Sequence, residues 1–142
     1  MANYKQLEEN LFIGPQPTTQ DLNEAKQGGV RTVIDLRMPS ETAVPNADMV
    51  RNSGLDYVNI PVDKTALFSG QIDALDAALK ENEGPYLVHC ATGTRAAMLL
   101  ALSRAKQNRW TTERTFLEAE AMGYDLKNSP DFADFVQKTL GK

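Results

Sequence analysis

Short apolar segments alternate with helical patterns along nearly the whole chain, and this alternation constrains the fold more than any other feature. Segments rich in β-branched and aromatic residues, each followed by a helical pattern, are typical of parallel strands joined by helical crossovers. The expected strands cover residues 11–13, 31–36, 55–62 and 86–89, of which the one at 11–13 is expected to be the first. The sequence therefore predicts an α/β fold with a mainly parallel sheet. Because there is no repeat, low-complexity tract or linker, residues 1–142 are expected to form a single domain.

Capping residues mark the expected ends of the helices. Thr18 and Asp21 form a capping-box pattern at the start of a helix that ends near a pair of glycines. Ser69 is expected to cap a helix with apolar residues at 3.6-residue spacing, and Ser129 followed by proline to begin the last helix. Helices are also predicted at residues 95–107, 112–122 and 130–140, and within residues 41–53 after Pro45.

Composition limits the classes of partner. The chain has 142 residues, of which 42% are hydrophobic, and a net charge of −4. This charge argues against nucleic acid or an anionic membrane as the main partner, although a small anionic substrate can still bind where the local field is positive. No run approaches the length of a membrane helix, and the polar amino terminus lacks the apolar core of a signal peptide.

Cysteine usage indicates the compartment and argues against a metal site. One cysteine cannot form an internal disulfide, which fits a cytoplasmic protein. One cysteine and one histidine are too few for a structural zinc site, so no metal or other cofactor is expected. Nothing in the sequence predicts the oligomeric state.

The only histidine and the only cysteine stand side by side in the run His89-Cys90-Ala91-Thr92-Gly93-Thr94-Arg95. An apolar strand pattern precedes this run and a helical pattern follows it. Loop amides and a helix N-terminus create a positive field there, which favours a thiolate and binds anions. In an open α/β sheet, such a loop lies at the carboxyl end of a strand, where ligands bind. The run therefore predicts a nucleophile loop.

Within this loop, Cys90 is the candidate nucleophile, although a lone cysteine also occurs as a small buried hydrophobe. Residues 91–94 (Ala91, Thr92, Gly93 and Thr94) would surround the anion with their backbone, and Gly93 permits the turn. Arg95 would bind the oxygens of the substrate and stabilise transition-state charge. As a cation in the first turn of a helix it is electrostatically misplaced unless an anion is bound. His89 is expected to hold the loop by hydrogen bonds and support the thiolate rather than to act as a general base.

A carboxylate at the end of another strand is the candidate general acid. Asp63 follows the strand at residues 55–62 and would face the loop, but it serves equally well as a turn-forming aspartate. Lys64 either attracts an anion or is solvated. Asp35 and Arg37 lie at the end of a third strand. They either line the rim of the site formed by the cysteine loop or have a structural role. For Arg37 we prefer an ion pair with Glu41.

Five segments taken in order resemble a bacterial protein family. They are LFIGPQPTTQDL, GVRTVIDLR, GLDYVNIPVD, LVHCATGTRA and EAMGYDL. The family is the beta-lactamase-hydrolase-like, phosphatase-like family, within the cysteine-dependent dual-specificity and tyrosine phosphatase superfamily. The resemblance implies a phosphatase-like α/β fold with four or five strands. It also implies a hydrolase that attacks a phosphate monoester through a phosphocysteine, with Cys90 as nucleophile, Arg95 as phosphate ligand and Asp63 as general acid.

The sequence departs from the phosphatase pattern at two points. Phosphatases place five residues between cysteine and arginine, whereas four separate Cys90 from Arg95, close to the loop of rhodanese-like sulfurtransferases. Ala96 stands where phosphatases commonly carry a hydroxyl that helps the thiolate to leave, a role open to Thr92 or Thr94. Two alternatives therefore remain: sulfur transfer through a Cys90 persulfide, and a non-catalytic module that binds phosphate or another oxyanion.

Overall fold

The computed structural model describes residues 4–41 and 46–140, which form one mostly parallel sheet with helices on both faces. The strands are β1 (Lys5–Glu8), β2 (Leu11–Gly14), β3 (Thr32–Asp35), β4 (Asp56–Asn59) and β5 (Tyr86–His89). Their order across the sheet is β1-β2-β5-β3-β4. β1 is antiparallel to β2, and the other pairs are parallel. The predicted α/β class and mainly parallel sheet are confirmed.

The helices that follow the strands agree with most of the predicted segments. They are α1 (Thr19–Gln27), α2 (Asn46–Asn52), α3 (Gly70–Glu81), α4 (Thr94–Asn108), α5 (Thr112–Ala121) and α6 (Pro130–Thr139), with a short 3-10 helix at Pro39–Glu41. The predicted helix start after Pro45 agrees with α2, while Pro45 itself lies outside the described residues. No helix in the described ranges has the length and apolar content needed to cross a membrane.

Three expectations about elements are wrong. Residues 11–13 do not form the first strand, because the polar β1 precedes them and pairs as an exposed edge that periodicity does not detect. The strand predicted at residues 55–62 ends at Asn59, before Pro61, which has no N–H to donate. Ser69 makes no side-chain capping bond to α3. Ser129 and Pro130 do begin α6 as predicted, although the Ser129 hydroxyl donates to the Asp125 carbonyl at 3.1 Å and does not cap the helix.

The sheet separates two hydrophobic clusters. On one face, Leu22 of α1 and Val50 of α2 pack with Val33 and Leu87 from the central strands. On the other face, α3 to α6 cover the alternate strand residues, including Ile34 and Val88. Nine residues of α4 are buried, so this helix lies in the centre of the larger cluster. The strand β5 and helix α4 that flank the cysteine therefore both lie in the core.

Candidate active site

The cysteine loop connects β5, in the middle of the sheet, to the N-terminus of α4. Cys90 directly follows the strand and is 1% exposed. Gly93 ends the loop with φ +100°, a left-handed conformation that favours glycine. Its N–H donates to the Cys90 Sγ, with 3.0 Å between the two atoms. The loop therefore folds back so that its backbone supplies a hydrogen-bond donor to the Cys90 sulfur.

The first turn of α4 offers further donors on the same side. The N–H groups of Thr94, Arg95 and Ala96 have no hydrogen-bond acceptor among the described residues, because the first intrahelical bond runs from Ala97 to Gly93. Free N–H groups at a helix N-terminus, together with the helix dipole, favour an anion. These donors belong to the loop and helix start for which the sequence predicts an anion site, and that role stays a prediction.

Arg95 is held in place by a partner distant in sequence. Its Nη1 and Nη2 donate to the two carboxylate oxygens of Glu41 at 2.7 and 2.8 Å, and Nη1 also donates to the Val62 carbonyl at 2.8 Å. The hydrogen bonds from Arg95 hold the pKa of Glu41 below its usual value, and in turn the pKa of Arg95 is raised. The nearby Cys90 also contributes to the raised pKa of Arg95, so the guanidinium lies next to the sulfur as well as to Glu41.

Glu41 is a site residue whose ion-pair partner differs from the one that the sequence predicts. The expected pair between Arg37 and Glu41 is wrong, because Arg37 is 1% exposed and donates to the Asp35 carboxylate at 3.1 and 3.2 Å. The hydroxyl of Tyr57 donates to the same carboxylate at 2.8 Å. Asp35 and Arg37 thus form a buried pair behind the loop rather than part of its rim. Proximity in sequence suggested the wrong partner, since Glu41 and Arg95 are 54 positions apart.

His89 belongs to this buried layer. Its ring is fully buried, with Nδ1 3.3 Å from the Cys90 carbonyl and Nε2 3.9 Å from an Asp35 oxygen. Burial lowers the pKa of His89 to about 4, despite the opposing effect of Asp35. The imidazole is therefore neutral at neutral pH, and its contact with the loop is a hydrogen bond rather than a charge interaction. The structure thus places the ring against the loop, and the role of His89 in holding it stays a prediction.

Asp63 lies at the edge of a cleft beside the cysteine loop, and its carboxylate also stabilises a turn. One oxygen accepts hydrogen bonds from the N–H and the hydroxyl of Thr65, at 2.9 and 2.7 Å. These bonds lower the pKa of Asp63. Both interpretations of this residue thus have structural support: it forms a turn, and it faces the cleft next to the exposed Lys64.

The cleft has a volume of about 610 Å³ and includes residues that the sequence did not single out. Its lining comes from the cysteine loop, the segments after β3 and β4, and the start of α6: Met38, Ser40, Glu41, Asp63, Lys64, Ala91, Thr92, Thr94, Arg95, Ser129 and Phe132. The hydroxyls of Thr92 and Thr94 are 3.1 Å apart on this surface. Because α6 is remote in sequence, only the packing of its first turn reveals Ser129 and Phe132 as wall residues.

The chain is similar to a family described as beta-lactamase hydrolase-like protein, phosphatase-like domain, whose model matches residues 3–107. It is 35% identical, over 125 residues, to the beta-lactamase hydrolase-like protein of Xylella fastidiosa strain Temecula1. That alignment covers 84% of this chain but 29% of the relative. The chain thus spans less than a third of the length of the curated relatives it matches.

Solved structures share the fold. A candidate phosphatase of Neisseria meningitidis Z2491 is 26% identical with a TM-score of 0.79, over 98% of this chain and 99% of that one. TpbA of P. aeruginosa, solved in complex with phosphotyrosine, is 18% identical with a TM-score of 0.76, over 95% of this chain and 83% of that one. These similarities confirm the predicted phosphatase-like fold and the family resemblance. The roles of individual site residues stay predictions.

Proposed function

This chain belongs to the phosphatase-like domain family of the beta-lactamase hydrolase-like proteins, and we propose that it hydrolyses phosphate monoesters through a phosphocysteine at Cys90. The observation that carries the proposal is the arrangement around one sulfur. The Gly93 N–H bonds to Sγ, the next three N–H groups have no acceptor in the described part of the chain, and Arg95 is anchored beside them. A tetrahedral phosphoryl group needs such a set of preorganised donors.

The reaction proceeds in two displacements. The Cys90 thiolate attacks phosphorus, so that a P–S bond forms as the P–O bond to the leaving group breaks, and the leaving oxygen takes a proton. Water then attacks phosphorus and breaks the P–S bond, which releases inorganic phosphate and restores the thiolate. The amides and Arg95 stabilise the charge on the equatorial oxygens in both steps. Thr92 or Thr94, whose hydroxyls face the cleft, would replace the hydroxyl that Ala96 lacks.

The first experiment is steady-state hydrolysis of an aryl phosphate by reduced protein. We expect Cys90→Ser to abolish turnover, and Arg95→Lys to lower kcat by about 10²–10³, because lysine keeps the charge but not the paired geometry. Arg104→Lys is the matched control, since Arg104 pairs with Glu8 on the surface away from the cleft. Retained turnover in Cys90→Ser would contradict the proposal.

Asp63 is the proposed donor of the proton to the leaving oxygen. Because Thr65 lowers its pKa, the carboxyl is protonated in a small fraction of molecules at neutral pH, and its contribution rises as the pH falls. We expect Asp63→Asn to slow hydrolysis of an alkyl phosphate, whose leaving group needs a proton, more than that of a nitrophenyl phosphate. Equal effects on the two substrates would remove Asp63 from the mechanism.

A second candidate function is sulfur transfer, which the short loop favours because only four residues separate Cys90 from Arg95. The Cys90 thiolate would attack the outer sulfur of thiosulfate, the S–S bond of the donor would break, and sulfite would leave with the electron pair. An acceptor thiolate would then take the outer sulfur and restore Cys90. Mass spectrometry after exposure to thiosulfate distinguishes the two functions: the gain of one sulfur atom at Cys90 supports transfer, and an unchanged mass with several donors excludes it.

A further inference from the structure

Tyr124 packs against the cysteine loop at Gly93. It follows α5, in the segment EAMGYDL that carries part of the family resemblance and has so far been given no role in the site. A Cβ built on Gly93 would lie 2.0 Å from the Tyr124 hydroxyl oxygen and 2.6 Å from Cζ. The tyrosine therefore occupies the space that a side chain at position 93 would need, and glycine is required there for contact as well as for its left-handed conformation.

One peptide group is held at both of its ends. The Tyr124 hydroxyl donates to the Thr92 carbonyl at 3.3 Å, and the N–H on the other side of that same peptide belongs to Gly93 and donates to the Cys90 Sγ at 3.0 Å. In a trans peptide, C=O and N–H point in opposite directions. The contact that fixes the carbonyl on the tyrosine side therefore also fixes the N–H on the sulfur side.

The alternative orientation of this peptide would oppose the chemistry. Glycine at position 93 permits rotation of the preceding peptide plane at little steric cost. A rotated plane would turn the Thr92 carbonyl oxygen towards the sulfur and remove the donor from it. A thiolate, and any anion bound next to it, would then face a partial negative charge instead of an N–H group.

We propose that Tyr124 is a positioning residue that holds the Thr92–Gly93 peptide with its N–H towards Cys90 and so favours the reactive thiolate. The phenol is well suited to this role, since burial and the nearby Cys90 raise the pKa of Tyr124 and keep the hydroxyl a donor at neutral pH. The inference rests on the proposed function only in taking Cys90 as the nucleophile.

The test is the pH profile of alkylation by iodoacetamide, which reports on Cys90 alone because the chain has one cysteine. In Tyr124→Phe we expect the profile to move to higher pH and the rate near neutral pH to fall about two- to tenfold, the effect of one hydrogen bond. The rate at the high-pH plateau reports access to the sulfur, so a change in exposure is distinguished from a change in thiolate. The assay needs no turnover, and a failure of the proposed hydrolysis would leave it unaffected.

Tyr4→Phe is the matched control. Tyr4 also packs on a glycine, Gly14, and its hydroxyl donates to a loop carbonyl, that of Pro15 at 2.6 Å, but not to the peptide that contacts the sulfur. A shift in Tyr124→Phe with none in Tyr4→Phe supports the proposal. An unchanged profile in a folded Tyr124→Phe, or equal shifts in both variants, would overturn it.

Discussion

At the scale of single residues, the site depends on residues that interact in pairs. Cys90 depends on a backbone donor from Gly93, and Arg95 depends on the two oxygens of Glu41. In each pair one member carries the proposed chemistry and the other fixes its geometry. Loss of the second member should therefore reduce activity without removing a reacting group.

Glu41→Gln tests the pair with Arg95. A glutamine amide has one acceptor oxygen and places a donor NH2 where the second carboxylate oxygen stood, so the two parallel bonds are lost and Arg95 becomes less restrained. We expect kcat/KM for an aryl phosphate to fall about tenfold, which corresponds to about 1.4 kcal/mol of transition-state stabilisation.

The control for this change is Glu118→Gln. Glu118 pairs with Arg114 on the exposed face of α5, with 3.5 Å between the charged atoms, and it does not line the cleft. We expect kcat/KM to be unaffected in this variant. If Glu41→Gln behaved in the same way, the ion pair with Arg95 would be irrelevant to the reaction.

At the scale of elements, helix ends that look alike in sequence differ in structure. Thr18 caps α1 through a complete capping box: its hydroxyl accepts from the Asp21 N–H at 3.0 Å, and the Asp21 carboxylate accepts from the Thr18 N–H at 2.9 Å. Ser69 precedes α3 in a helical conformation and makes no such bond. A capping side chain needs extended backbone at its own position, which a residue pattern does not reveal.

Thr18→Ala and Ser69→Ala should therefore differ in stability. The first variant leaves the Asp21 N–H without its acceptor, so we expect the free energy of unfolding to fall by about 1 kcal/mol. The second removes no capping bond, and its free energy of unfolding should stay close to that of the unmodified chain. Urea denaturation of both variants measures the difference, and equal losses would show that the two caps are equivalent.

At the scale of the whole molecule, the buried layer under the loop makes stability depend on pH. In the unfolded chain a histidine titrates near 6.5, whereas burial lowers the pKa of His89 to about 4 in the folded protein. Between these values the unfolded state binds more protons, so protons favour unfolding. Stability from this group is fully present above pH 6.5 and is lost progressively as the pH falls towards 4.

His89→Gln tests this dependence. The shift of His89 amounts to roughly 3 kcal/mol of unfolding free energy between neutral pH and pH 4. We expect the variant, which has no histidine left, to lose that much less stability over the interval, even if it starts from a lower value at neutral pH. Denaturation curves at several pH values give both slopes, and parallel slopes would contradict the assigned burial of the imidazole.

The carboxylate of Asp35, next to His89, affects stability in a lower pH range. Burial by itself raises the pKa of Asp35, but the hydrogen bonds from Arg37 and Tyr57 and the proximity of His89 outweigh it, and the net shift is downward. The stability that Asp35 contributes is therefore present above its ordinary pKa and is lost only as the pH falls below that value. The two groups can be distinguished because His89 titrates first on acidification.

Local sequence determined the order of most elements and the position of the nucleophile loop. Apolar spacing, capping residues and glycines act over a few residues, so the core strands, the six helices and the Cys90–Arg95 loop were predictable from them. The edge strand β1 was not, because its residues are polar and its pairing partner stabilises it. The predicted end of the strand at residues 55–62 was also wrong, because β4 stops at Asn59, before Pro61.

Tertiary structure alone decided which side chains meet at the site. Glu41 reaches Arg95 across 54 positions, and Tyr124 reaches the Thr92 carbonyl across 32. Arg37 turned inward to Asp35 rather than to Glu41 because burial of its guanidinium required a carboxylate at the same depth. Contacts of this kind depend on how helices and strand ends pack in space, and a single sequence carries no local signal for them. Residue type and loop spacing therefore indicated the chemistry, and packing supplied the partners that make it possible.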